Sequence, residues 1–395
     1  MSENIKKLVL FGAGNIGRSF IAQVFSRDNY EIVFIDINQD VINKINNTGS
    51  YDVINLNPDG SKEAYTVKNV RAVNGQDKAK VIQELNTASL VSTSVGKQAL
   101  AYIVGNIAEA AQQRQQQNKP PLDVILAENI REGRQYMLNL AKEHLQKQGN
   151  NDIDLTYTAS ILGFVETSIG KMVPLQDSSD NLDVFCEPYN TLILSSDGFH
   201  QSPPQIPAIK AVKNINAWVD RKLFIHNLGH ASCAYFGRAK DKNTEYLWQS
   251  LQNPYIEWKV RTVMLEAGKI LLAEYPTEFT QKDIINHVDD LLNRFKNQFL
   301  GDTIYRVGRD LSRKLHKSDR VLGAILLGKK HNLPVSNIFD TYLTACDFGK
   351  LGNDKNDYKP SEILHNKGIV AVLKEIGGLD NCNQTEIDLI DEFTN

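Results

Sequence analysis

The chain has 395 residues, 42% hydrophobic and 23% charged, the makeup of an ordinary globular protein too long for one compact core. A formal net charge of -3 leaves no basic footprint for nucleic acid, and the longest apolar runs, such as residues 321–327, are too short to span a bilayer. Four scattered cysteines (Cys186, Cys233, Cys346, Cys382) form neither a disulfide framework nor a zinc motif and suit a reducing, cytoplasmic setting.

Two lysines precede the first apolar run, Leu8-Val9-Leu10-Phe11, which is too short for a secretion signal and reads as a strand. It continues into Gly12-Ala13-Gly14-Asn15-Ile16-Gly17, then a helical pattern (Phe20, Ile21, Val24, Phe25), then a second strand, Glu31 to Ile35, ending at Asp36. Strand, G-x-G-x-x-G, helix, strand and acid form a dinucleotide-binding unit. Gly12 permits the tight turn, Gly14 lets a pyrophosphate approach the backbone, and Gly17 lets helix and strand pack closely. The helix start offers unpaired N–H groups to the phosphates. Asp36 is placed to bind a ribose 2′-hydroxyl and to repel a 2′-phosphate, which favours NAD over NADP.

After Asp36 comes a polar stretch with Asn47, Gly49, Pro58 and Gly60, and residues 64–67 suggest part of a small hairpin. Residues 88–96 predict a strand ending in small and hydroxyl residues, 99–118 a helix, and 124–127 a strand followed by Glu128-Asn129. Residues 156–165 and 192–194 complete the strand-like material. Pro203, Pro204 and Pro207 interrupt regular structure and mark the boundary. The expected fold is an α/β Rossmann-type domain over 1–203 and a mainly helical domain over 204–395, with helices at 210–238, 243–252, 255–274, 280–297, 309–330, 335–348 and 360–376 and one short helix in the tail.

The segment RKLFIHNLGHASCAYFG concentrates polar groups on one side of a predicted helix. At roughly 100° per residue, with Lys222 at zero, His230 falls near 80° and Asn227 near 140°. Trp218, Phe224, Ile225, Leu228 and Ala231 crowd the other side. A neutral lysine can take a proton from an alcohol and its ammonium can return one to an alkoxide, while Asn and His can donate to the same oxygen. The plain alternative is a surface lysine on a solvated face. His226 and His230 are four residues apart, but no acid or cysteine lies beside them, so no metal site is expected. Arg306, Arg309 and Arg313 would share a helix face, either as a solvated basic stripe or as a phosphate clamp.

With FGAGNIGRSFI, LAENIREG, GFVETSIGKMVP, RVGRDLSRKL, DRVLGAILLG and above all the K-x4-N-x2-H signature in RKLFIHNLGHASCAYFG, the chain resembles the polyol-specific long-chain dehydrogenases over nearly its whole length. The resemblance implies a metal-independent, NAD-linked enzyme acting on a small polyol or ketose, or its phosphate, as a monomer or weak homodimer. It implies Lys222 as general acid/base, Asn227 and His230 as the oxygen clamp, and Glu128 as a proton relay to solvent. Asn129 then lies near the nicotinamide, and Gly12, Gly14, Asn15, Ile16, Gly17 and Asp36 hold the cofactor. It also tips the arginine stripe toward phosphate. The chain has Gly170-Lys171 where the family usually has an Asp-Arg pair, which leaves room for unphosphorylated mannitol or a hexuronate as substrate. A non-catalytic NAD-binding module is the more distant alternative.

Overall fold

Every residue of the first strand, β1 (Lys7–Phe11), is buried, because both faces of its sheet are covered. Leu8 and Leu10 enter one core with Phe20, Ile21 and Val24, whereas Val9 and Phe11 enter another with Val91, Ile107 and Val124. The computed structural model describes residues 5–128, 130–149, 152–174, 182–349, 355–380 and 383–393, in two compact units, Met1–Ile215 and Asn216–Asn395.

The further strands of the first unit are β2 (Glu31–Asp36), β3 (Ser50–Leu56), β4 (Lys62–Lys68), β5 (Val70–Asn74), β6 (Leu90–Thr93), β7 (Leu122–Leu126), β8 (Leu162–Ser168), β9 (Val184–Cys186), β10 (Leu192–Ser195) and β11 (Ile209–Val212). Eight of them form one sheet in the order β11-β10-β8-β7-β6-β1-β2-β5, parallel except between β8 and β10. The chain runs outward from β1 in both directions, so the crevice beyond the ends of β1 and β6 is the switch point at which such sheets bind ligands. The expected hairpin is β3–β4, with β9 alongside β3 in a small second sheet.

Three expectations shift. β11 follows the prolines yet pairs with β10, so the first unit runs to Ile215 rather than closing at 203. Residues 155–161 are a helix, not a strand: the Asp154 carboxylate accepts from the Tyr157 N–H and starts the turn. The helices Lys78–Asn86 and Gly133–Lys147 add to those expected.

The second unit is helical. Its first helix is continuous from Ile215 to Lys240 but contains a π-helical segment, Lys222–Asn227. Between Leu228 and Gly237 only His230 escapes full burial, so this helix forms the unit's centre and His230 its one polar outlet there. The expected helix over 309–330 is instead two, Leu311–Lys314 and Leu322–Lys330. Among the described residues no helix is long and apolar enough to cross a membrane.

Candidate active site

In the first unit the glycines differ in what they do. Gly12 has φ +93°, and a Cβ there would meet the Ser94 carbonyl oxygen at 2.6 Å. A Cβ on Gly17 would strike the Gly12 carbonyl oxygen. Gly14 has nothing within 4 Å of its would-be Cβ, and it and Asn15 are exposed, with Ile16 half-buried. Two glycines therefore close the β1–helix–β6 junction, while the third opens backbone toward the crevice, which fits a pyrophosphate. The helix that follows contains a π-helical segment at Gly17–Ala22.

Asp36 ends β2 half-buried. One carboxylate oxygen accepts from the Ala13 N–H at 2.7 Å and the other from the Asn38 N–H at 2.9 Å. A carboxylate offers about four lone-pair positions, so these bonds orient Asp36 and still leave acceptor capacity for ribose hydroxyls. Glu128 is buried at the end of β7. It accepts from the Thr93 hydroxyl at 2.5 Å and the Val95 N–H at 2.8 Å, and burial pushes its carboxyl up. These contacts show Glu128 fastening the turn after β6. Asn129 lies outside the described residues. Lys171, the departure from the family pattern, is buried within the first unit, donating to Gln23 Oε1 at 3.1 Å beneath the Phe20 ring.

In the second unit, i→i+5 bonding changes the predicted geometry. An α-helix would splay Lys222 and Asn227 well apart, but a π-turn brings residues five apart round to one side. Burial pushes the half-buried Lys222 ammonium down from 10.5 to about 8, and the neighbouring Arg320 guanidinium adds to the effect. His226 is buried, and burial followed by Arg294 holds it well below the usual histidine range, hence neutral; its ring packs 5.6 Å from Phe295. His230 lies with its Nε2 3.0 Å from Asp302 Oδ2 and its ring 4.9 Å from that of Phe295.

Arg320 and Asp302 belong to this neighbourhood and were not singled out from the sequence. Arg320 Nη1 donates to the Asn227 carbonyl at 3.4 Å and its Nε to Asp319 at 2.8 Å, so it braces the end of the π-turn. Asp302 lies in a connection beside the Thr303–Tyr246 bridge and Arg320 in a turn, outside any regular element, which left periodicity nothing to detect.

Arg306, Arg309 and Arg313 do not share a helix face. The helix Ile304–Gly308 stops where Gly308 meets the Phe348 ring, Arg309 is extended in ψ (173°), and Asp310 has φ +69°. Arg306 is ion-paired with Asp302, and Arg313 with Asp310 at 2.6 Å and Asp319 at 2.9 Å. Arg309 is exposed, with its guanidinium 5.9 Å from the Tyr305 ring centre. Buried Lys314 donates to the Val307 carbonyl, and burial pushes it down to about 7, with Arg320 and Arg313 acting the same way.

Comparison with known proteins gives two matching family models, "Mannitol dehydrogenase Rossmann domain" over residues 6–208 and "Mannitol dehydrogenase C-terminal domain" over residues 214–375. The chain is 30% identical to mannitol-1-phosphate 5-dehydrogenase of Streptococcus mutans serotype c over 391 residues, covering 98% of each. It is 29% identical to that of Streptococcus pneumoniae (strain JJA), covering 98% of this chain and 100% of the relative. Among solved structures, substrate-free D-sorbitol dehydrogenase matches with TM-score 0.74 at 14% identity over 89% of this chain and 82% of that one. Pseudomonas fluorescens mannitol 2-dehydrogenase, in a ternary complex with NAD and D-mannitol, matches with TM-score 0.69 at 13% identity over 100% of this chain and 92% of that one. These two share the fold.

Proposed function

We propose, for a chain that belongs to the mannitol dehydrogenase family, that it is an NAD-dependent polyol-phosphate dehydrogenase running D-mannitol 1-phosphate + NAD⁺ ⇌ D-fructose 6-phosphate + NADH + H⁺. The observation that carries the chemistry is the π-turn that brings Asn227 round toward Lys222, together with the burial that pushes that lysine down to about 8. Full-length similarity to mannitol-1-phosphate 5-dehydrogenases carries the choice of substrate.

NAD, when bound, accepts the hydride from the carbinol carbon or, reduced, returns it. Gly14, Asn15 and Ile16 give its phosphates backbone to approach, Gly12 and Gly17 close the turn that presents them, and Asp36 takes the ribose hydroxyls. In the oxidising direction Lys222, as the amine, removes the carbinol proton; in the reducing direction its ammonium protonates the forming alkoxide. A lysine near pH 8 is populated in both forms around neutrality, which is where a general acid/base works best. The Asn227 amide donates to the same oxygen, and its hydrogen bond strengthens as negative charge develops. His230 holds the substrate beside it. Arg309, exposed and in no ion pair with a carboxylate among the described residues, meets the phosphate, whose binding energy helps keep the reacting carbon in place. The protein acts in the cytoplasm as a monomer or weak homodimer, a reading supported by the family resemblance.

The test is NADH oxidation with a panel of fructose 6-phosphate, fructose, fructuronate and tagaturonate. Turnover dominated by fructose 6-phosphate supports the assignment; faster turnover of an unphosphorylated ketose or a hexuronate replaces it with another member of the family. NADH binding without turnover of any of them points to a non-catalytic module.

A further inference from the structure

Asp302 is buried, and its two carboxylate oxygens face different partners. Oδ2 lies 3.0 Å from His230 Nε2, and Oδ1 meets the Arg306 guanidinium. The backbone around it is held on both sides. Its carbonyl accepts from the Leu247 N–H at 2.8 Å, and the next residue, Thr303, pairs with Tyr246 and caps the Ile304–Gly308 helix through its hydroxyl. The carboxylate is therefore a fixed object, to which the His230 ring must conform.

A carboxylate only accepts, so the hydrogen of this contact sits on His230 Nε2. In the neutral ring Nδ1 is then without a hydrogen and can only accept. This differs from the donor role that the sequence suggests for His230. We infer that Asp302 is a positioning residue which fixes the Nε2–H tautomer of His230, so that the histidine receives a substrate hydroxyl while Asn227 donates to the reacting oxygen. The inference rests on the dehydrogenase reading given above. Arg306, on the far side of the same carboxylate, keeps Asp302 aimed; the ring of His226 (6.3 Å from that of His230, centre to centre) and Phe295 hold the other flank.

The experiment is a double-mutant cycle in the full chain with Asp302→Asn, His230→Ala and the pair, reading kcat for fructose 6-phosphate reduction, NADH affinity and Tm. An amide at 302 can present its NH2 as readily as its oxygen to Nε2, which frees the ring to adopt the other tautomer. Asp302→Asn is expected to lower kcat by about 10- to 100-fold, the cost of losing an outer partner of a working histidine. NADH affinity should hold, Tm should fall equally in the wild-type and His230→Ala backgrounds as the Arg306 pair is lost, and the same substitution in the His230→Ala background should change kcat less than about twofold. An equal kcat loss in both backgrounds would overturn the inference. Wild-type kcat in Asp302→Asn beside an impaired His230→Ala overturns this inference alone, whereas wild-type kcat in His230→Ala removes the His230 role on which it stands. If Asp302→Asn does not fold, Asp302→Glu, which displaces the carboxylate by one methylene, carries the same comparison.

Discussion

Lys222 and Asn227 begin and end a single π-helical segment inside an otherwise α-helical element. Five residues of α-helix would turn the amide away from the amine; i→i+5 bonding brings it back. Such segments are uncommon in helices and frequent at functional sites. Here it brings an amine and an amide, which an α-helix would splay, round to one side of the element.

The pH dependence follows from Lys222. Its ammonium is lowered from 10.5 to about 8, first by burial and then by Arg320. Polyol oxidation needs the amine, so kcat/KM in that direction should rise with pH and level off above about 8. Ketose reduction needs the ammonium and should fall off above the same point. Arg320→Ala removes one source of the depression and should move the inflection upward. Inflections near 10.4, the value of an unperturbed lysine, would show that Lys222 is not the titrating group.

Gly14 and Gly17 should respond in opposite ways to alanine. Gly14→Ala places its methyl in open space, so Tm should hold while NADH affinity falls. Gly17→Ala drives a methyl into the Gly12 carbonyl oxygen and should cost about 1–3 kcal/mol of stability, the usual range for overpacking. Thermal melts with and without NADH check both; equal melting losses would mean that Gly14 is also a packing glycine.

Asp36→Ala should weaken NAD binding and raise the NADP/NAD ratio of kcat/KM. A hydrogen bond to a charged group contributes about 1.5–3 kcal/mol, roughly 10- to 150-fold for each ribose bond lost. Because Asp36 also accepts from the Ala13 N–H at 2.7 Å, some of the loss should appear as a looser glycine turn. An unchanged cofactor ratio would leave Asp36 with that turn as its whole role.

Arg309→Ala should raise KM for fructose 6-phosphate about tenfold or more, as loss of a charge-assisted phosphate contact does, and leave activity on free fructose unchanged. Arg313 is clamped by Asp310 and Asp319, so Arg313→Ala should lower activity on both ketoses alike by releasing Asp319 and, through it, Arg320. Equal losses for Arg309→Ala on both ketoses would argue against a phosphate contact there.

The first unit's core was legible because hydrophobic periodicity and the glycine spacing agree: β1, the glycine turn and β2 lie where alternation and the motif put them. The K-x4-N-x2-H residues were legible as a set, but not their geometry, since 100° periodicity cannot anticipate a π-turn. The arginine stripe failed for a non-local reason. Arg306, Arg309 and Arg313 read as one helix face, yet packing of Phe348 against Gly308 and the positive φ of Asp310 interrupt the helix between them. Asp302 and Arg320 escaped notice because their meaning lies wholly in tertiary partners, His230 and the Asn227 carbonyl.

The most direct test of the account is Lys222→Ala, assayed for fructose 6-phosphate reduction alongside a fluorescence titration with NADH. Loss of the acid/base should lower kcat by about 100- to 10,000-fold with the NADH dissociation constant within about twofold of the wild type. Retained kcat, or a loss explained by weakened NADH binding, would contradict the central claim that this amine moves the proton.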